Sequence, residues 1–380
     1  MDIPNYFQEF LKEIRLTQNM RDDLLKGHTT LRERLHSDEH LTPIIVDSFL
    51  QGSYKRSTAV RPKGDKRADV DIVVVTKIKR SEYPDPEKAM NLFIPFLEKY
   101  YTGKYKIQGR SFGIELSYVD MDLVITSAPS EEEENIYKSY SVTTSDTVEE
   151  ATDWRLIKSW VPNTMRSPLE QKAIKEAIQK EKEWQTEPLW IPDREAKVWQ
   201  ETHPLEQIKW TSQKNKRCNG HFVNIVKAIK WWELINHENL RPKGYPLEHL
   251  LGDCCPDSIN SIAAGVTAVF ENITTKYAMY ALSKSKPFMQ DRGLPAHDVF
   301  ARITEEEFEI FWTVATKAAQ IAREALQSTD EVESSFKWRE LFGEKFPKAT
   351  NNDNKETIQE FTKNSALPII RSNPSKPWSF

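Results

Sequence analysis

The stretch Ala68-Asp69-Val70-Asp71-Ile72-Val73-Val74-Val75-Thr76 constrains this chain most. In a strand, residues i and i+2 point to the same face, so Asp69 and Asp71 project together. Ile72 to Val75 is an uninterrupted apolar run, as expected of a strand covered on both faces. Upstream, the apolar run Ile44–Leu50 delivers the chain to Gly52-Ser53. A glycine there lets backbone approach a ligand, and Ser53 offers a hydroxyl and an N–H to a phosphate. Phosphate grip plus paired carboxylates points to metal-assisted chemistry on a nucleoside triphosphate.

A third acidic residue belongs with them. Val119-Asp120-Met121-Asp122-Leu123-Val124-Ile125-Thr126 reads as a later strand with Asp120 and Asp122 facing one way. Asp122 is favoured, because it precedes an apolar run as Asp71 does, and Asp120 is its competitor. Carboxylates on one face of a buried sheet must be paired or metal-bound, since burying a lone charge is costly.

Around these strands the pattern predicts helix over 5–36, a helical turn at 55–58, a basic loop at 61–67 and a helix over 87–100 kinked by Pro95. Strands are expected at 104–108, 112–118 and 119–126. Next come a helix within 145–160, surface helix and loop over 162–190, and a turn into another helix at Pro192-Asp193-Arg194. From about 203 the periodicity is helical: 219–235 is amphipathic, with further helices at 245–251, 258–281 and 305–327. Thr304 with Glu307 makes a capping box. The fold class is therefore α/β (α+β), a mixed sheet with helices, followed by a helical lobe. The expected division is a first lobe at 1–165, a connecting segment at 166–202, a helical lobe at 203–347 and a flexible tail at 348–380. The first helix is expected to run along both lobes.

The chain of 380 residues suffices for one or two cored domains. Net charge is −4, which argues against a global electrostatic drive onto nucleic acid. Between His203 and Gly244, however, eight Lys or Arg face three Glu. No membrane span and no secretory signal are expected. Three cysteines, Cys218, Cys254 and Cys255, do not make a disulfide framework and fit a reducing cytoplasm. His249 beside the Cys pair lacks a fourth nearby ligand, so no zinc site is expected.

Gly52-Ser53, Asp69-x-Asp71 and Asp122 resemble the signature of DNA polymerase β-like nucleotidyltransferases. Within that superfamily the chain resembles the bacterial CD-NTases of CBASS anti-phage systems, closest to clade D. The strings Phe49–Ser53, Ser57–Pro62, Gly64–Arg67, Gly109–Ile114, Ile229–Trp232 and Lys243–Leu250 carry the resemblance. It implies that Asp69 and Asp71 bridge two Mg²⁺ ions, with Mn²⁺ as an alternative, and that Asp122 binds the ion activating a 3′-hydroxyl. Gly52 and Ser53 would hold the triphosphate, and Lys230, with Lys227 one turn away, would grip it from a helix. Lys243 and Tyr245 would contact a nucleobase. Arg56, Arg61 and Lys66 read as basic surface, with phosphate contact as the alternative, and Trp231 and Trp232 read as packing residues.

The expected product is a cyclic oligonucleotide messenger made from ATP and GTP, of the type cyclic AMP-AMP-GMP. No long nucleic acid would be required, a cyclic-nucleotide-sensing effector would act downstream, and the resemblance admits operon-encoded regulatory partners. The alternatives are acceptor-dependent nucleotidyl transfer to RNA or a small molecule, and a non-catalytic nucleotide-binding scaffold.

Overall fold

The computed structural model describes residues 1–128, 188–236 and 239–349. The acidic run at 130–134, which the sequence reads as a solvated loop, the expected helix within 145–160, most of the 162–190 segment and the tail beyond 349 lie outside the described residues.

The chain starts with two helices, α1 (Pro4–Ile14) and α2 (Gln18–Ser37), where periodicity alone predicts one. The break has a local cause: Thr17 is extended and its side chain accepts from the Met20 N–H, starting a fresh helix. Next are β1 (Ile45–Gln51), the short α3 (Gly52–Lys55) and β2 (Asp69–Thr76). The helix expected over 87–100 is two, α4 (Pro86–Asn91) and α5 (Ile94–Tyr101). Pro95 falls in the first turn of α5, where its missing N–H costs nothing. Strands β3 (Tyr105–Ile107), β4 (Phe112–Glu115) and β5 (Asp120–Ile125) complete one sheet.

That sheet has the order β1-β2-β5-β4-β3. Only the central pair, β2 with β5, is parallel, and its register sets Asp69 against Asp120 and Asp71 against Asp122. The run Ile72–Val75 divides by parity, as a doubly covered strand must. Val70, Ile72 and Val74 enter a core with Leu24, Leu31 and Leu35 of α2 and Phe96 and Leu97 of α5. Val73 and Val75 enter a smaller core with Phe49, Leu189 and Leu205. Asp69 and Asp71 have the parity of Val73 and Val75, so they lie on that second face.

Pro192-Asp193-Arg194 does not lead into a helix. It ends β6 (Leu189–Asp193), which pairs antiparallel with β7 (Val198–Thr202). The Asp193 carboxylate holds the turn, accepting from the Ala196 N–H at 2.9 Å and from Arg110 at 2.7 Å.

The rest is helical: α6 (Pro204–Arg217), α7 (Phe222–Asn236), α8 (Gly244–Cys254), α9 (Ile262–Lys276), α10 (Ala278–Leu282), α11 (Glu305–Gln327) and α12 (Glu331–Phe342). The Thr304/Glu307 capping box starts α11 as expected. The expectation of an amphipathic α7 is corrected: every residue from Phe222 to Ile229 is buried, as are Trp231, Trp232 and Glu233. It is the central helix of its lobe, and its neighbours cover it all round.

The first helix belongs to this second core. Phe7, Phe10, Leu11 and Ile14 of α1 are buried there, while α2 serves the sheet. Phe10 stacks on Phe342 at 4.6 Å between centroids, and Phe7 meets Trp338 edge-on at 4.9 Å. Such aromatic pairs add about 1 kcal/mol each beyond their buried area.

Candidate active site

Gly52 opens α3 at φ +74°, a left-handed value that disfavours a side chain. A Cβ here would lie 1.7 Å from Asp71 Oδ2. Backbone and carboxylate therefore touch, and the glycine is required for both reasons. Ser53 is the next residue of the same turn, half-buried, its carbonyl accepting from the Thr58 and Ala59 N–H groups.

Asp71 and Asp122 line one cavity of about 190 Å³. Val73 and Val124, on the same strand faces, line it too, with Gln51, Arg110 and Ser111 and with Ile191 and Thr202 of the β6–β7 hairpin. The hairpin that the sequence did not predict is thus a wall of the site. Its signal was present in the β-favouring runs Leu189-Trp190-Ile191 and Val198-Trp199.

The carboxylates feel each other. Asp71 is pushed up to about 7, chiefly by burial, then by the charges of Asp69 and Asp122, with Arg56 opposing. Asp122 is pushed up to about 6 by burial and by Asp69, while a hydrogen bond from Gln108 opposes. Asp120 is engaged elsewhere: Arg67 Nε donates to its Oδ1 at 2.7 Å. The arrangement favours Asp122 over Asp120 as the third open carboxylate.

Among the described residues no three His, Cys, Asp or Glu side chains form a group able to hold a metal ion unaided. An open set of carboxylate oxygens nevertheless fits a hard divalent cation that draws its other ligands from substrate phosphates and water.

The candidate basic residues are largely committed. Arg56, expected at the surface, is buried. Its Nε donates to Glu248 Oε2 at 3.0 Å, and its guanidinium lies 5.3 Å over the Tyr245 ring. Burial alone lowers the Arg56 pKa, but Glu248 and Asp71 hold it above its ordinary value. Glu248 also accepts from Thr58 Oγ1 at 2.8 Å and Lys230 Nζ at 3.0 Å. Burial pushes Glu248 up, yet Arg56 and Lys230 hold it down at about 2.

Lys230 is thus tethered, though it faces the same cluster. Lys227 is buried in α7, and Lys243 pairs with Glu233 at 3.3 Å. Tyr245 donates to Asp291 Oδ2 at 3.1 Å, inside its own lobe. The basic excess of 203–244 is also spent on partners, Lys209 on Glu206 and both Lys214 and Arg217 on Asp257. Arg61 Nε donates to the Arg15 carbonyl at 3.2 Å, while Lys66 is exposed. Cys218, distant in sequence, comes within 3.8 Å of Cys255, Sγ to Sγ.

A mixed sheet with three acidic side chains at the head of its parallel pair, a Gly-Ser turn over one of them and a helical lobe opposite defines a polymerase β-like nucleotidyltransferase. Residues 1–148 match the SMODS family, the Second Messenger Oligonucleotide or Dinucleotide Synthetase domain. The chain is 50% identical over 355 residues to a cyclic AMP-AMP-GMP synthase of Enterobacter hormaechei, covering 91% of this chain and 92% of that one. It is 27% identical to a cyclic AMP-AMP-AMP synthase of an Acinetobacter species, covering 99% and 95%. The chain belongs to the bacterial CD-NTase family, nucleotidyltransferases that synthesise cyclic oligonucleotides.

The fold agrees. The GTP-bound form of Vibrio cholerae DncV, a cyclic AMP-GMP synthase, aligns with TM-score 0.62 at 10% identity, covering 91% of this chain and 96% of that one. The CdnC chain of an E. coli MS115-1 CdnC–HORMA complex aligns with TM-score 0.61 at 14% identity, covering 91% and 98%. Among the described residues no helix is long and apolar enough to cross a membrane.

Proposed function

We propose that this enzyme joins two molecules of ATP and one of GTP into cyclic AMP-AMP-GMP, with Asp69, Asp71 and Asp122 as its metal-binding carboxylates. One observation carries the site: the parallel register of β2 and β5 sets Asp71 directly against Asp122, with Asp69 two residues away on the same face. The 50% identity to a cyclic AMP-AMP-GMP synthase supports the product, and nucleotide-bound relatives support the substrates.

Bound Mg²⁺ would supply neutralisation of triphosphate charge and a more acidic 3′-hydroxyl. The chain's own residues do the rest by positioning. Asp69 and Asp71 would hold the ions that meet the triphosphate, and Asp122 would serve the attacking hydroxyl. Gly52 keeps backbone close to the carboxylates, and Ser53 presents hydroxyl and N–H to phosphate. Lys230, held by Glu248, meets the triphosphate, with Lys227 one turn behind it. Lys243 and Tyr245 border the nucleobase end. The sheet-bearing lobe and the helical lobe at 203–347 enclose the substrates, each with its own apolar core.

Incubation with ATP, GTP and Mg²⁺, without acceptor, tests this. A phosphatase-resistant product with the mass of cyclic AMP-AMP-GMP is expected. Turnover only when RNA or a small-molecule acceptor is added would refute the proposal.

A further inference from the structure

The string Gly109–Ile114 marks the family resemblance, yet neither substrate handling nor metal binding has given it a role. Its geometry supplies one. In the antiparallel pairing of β4 with β5, Gly113 stands directly opposite Asp122. Opposed residues project to the same face, so any side chain at 113 would lie beside the carboxylate. The Gly113 backbone is not in the left-handed region, and conformation therefore does not demand glycine. Space does. A Cβ at 113 would fall 2.5 Å from Gln108 Nε2 and 3.5 Å from Asp122 Oδ1.

Gln108 is folded back over β4 into that space. Its own N–H donates to the Ser111 carbonyl at 2.9 Å, closing the tight turn between β3 and β4. The Ser111 hydroxyl donates to Gln108 Oε1 at 2.6 Å. A hydroxyl on the amide oxygen leaves the amide nitrogen, a donor, as the group that hydrogen-bonds Asp122. Gln108 is itself exposed, so replacing it removes no core packing.

We propose that Gln108, fixed by Ser111 and seated in the space left by Gly113, is the positioning residue of Asp122. Its N–H holds one carboxylate oxygen and leaves the other for a cation. The proposal rests on the reading of Asp122 as a catalytic carboxylate. Residues that orient metal ligands typically carry about 10- to 100-fold in affinity or activity.

The test compares Gln108→Ala, Gln108→Glu, Gly113→Ala and Asp122→Asn by initial rate across Mg²⁺ and ATP concentrations and, without substrate, by the rise in Tm that Mg²⁺ gives at pH 8, which Gln108→Ala should shrink. Gln108→Ala is expected to lower kcat about 10-fold and raise the half-saturating Mg²⁺ by a similar factor, with the KM for ATP little changed. Gln108→Glu, equal in shape, is expected to be worse than alanine, because it sets a second negative charge against Asp122. Gly113→Ala only has to displace the flexible end of Gln108, so it should match Gln108→Ala, and the double variant should be no worse than either.

If Asp122→Asn abolishes turnover while Gln108→Ala, Gln108→Glu and Gly113→Ala all match the parent, the positioning role is wrong and the carboxylate reading stands. A Gln108→Glu variant as active as the parent would also overturn it, reducing Gln108 to a space-filler. If Asp122→Asn itself retains full rate, the carboxylate reading and this proposal fall together.

Discussion

At the scale of single residues, the site is defined by what cannot be changed. Gly52→Ala would force a methyl into Asp71 Oδ2 and hold alanine at φ +74°. The backbone term alone costs about 1–2 kcal/mol. The contact adds displacement of a carboxylate proposed to bind metal, so kcat should fall on the order of 100-fold. Steady-state kinetics with a parallel thermal melt separates lost activity from lost fold. Asp120→Asn removes a carboxylate paired with Arg67 and should retain most activity, whereas Asp122→Asn should not. Equal loss in both would reinstate Asp120 as a candidate.

The pH behaviour of Asp71 comes from its raised pKa. Folded Asp71 titrates at about 7, against 3.8 for the free group, so between those values the folded state binds more protons. Stability of chelator-treated protein should therefore fall as pH rises from about 4 to 7. A divalent cation competes with that proton, so adding Mg²⁺ should raise Tm at pH 8 and hardly at pH 5. Thermal melts at the two pH values check this, and an equal Mg²⁺ effect at both would contradict it.

At the scale of elements, the Glu248 cluster ties the turn after α3 to α7 and α8. Glu248 joins Arg56, Thr58 and Lys230 in one buried network. Glu248→Gln leaves two cations short of their partner and should cost about 3 kcal/mol. A lower Tm, with a higher KM for ATP as Lys230 loses its tether, is the expected result. The pH sign is opposite to that of Asp71. Glu248 is held at about 2, so its contribution is complete above pH 4.5 and lost only as pH falls through about 2. The cluster thus stays intact over the whole range in which Asp71 titrates.

Elements were legible where local chemistry decides them. The apolar run of β2, the Asp-x-Asp ahead of it and the Thr304/Glu307 cap need only their neighbours in sequence. Arg56 was not legible, because its partner lies 192 residues away and a lone basic residue in a loop usually faces water. The β6–β7 hairpin was missed because Pro192-Asp193-Arg194 signals a turn but does not distinguish a strand beyond it from a helix. The break between α1 and α2 shows the same limit: apolar spacing continues through Thr17, and only the cap interrupts the helix.

At the scale of the whole molecule, the first helix packs against residues from the far end of the helical core. Phe10 of α1 is fully buried and stacks on Phe342, more than three hundred residues on. Phe10→Ala should destabilise by about 3–5 kcal/mol. A chemical denaturation curve reads that loss, and a change within about 0.5 kcal/mol would mean α1 is not part of that core.

The ring size and bases of the product have no counterpart in residue spacing. They rest on likeness to relatives, while the carboxylate register rests on the sheet. Both claims meet in one assay: the protein incubated with all four nucleoside triphosphates and Mg²⁺, its products resolved by mass spectrometry, beside the Asp69→Asn/Asp71→Asn double variant. A cyclic product of two adenylates and one guanylate, absent from the double variant, is expected. The same product from the double variant would contradict the carboxylate assignment, and a different ring from the unaltered enzyme would contradict the product.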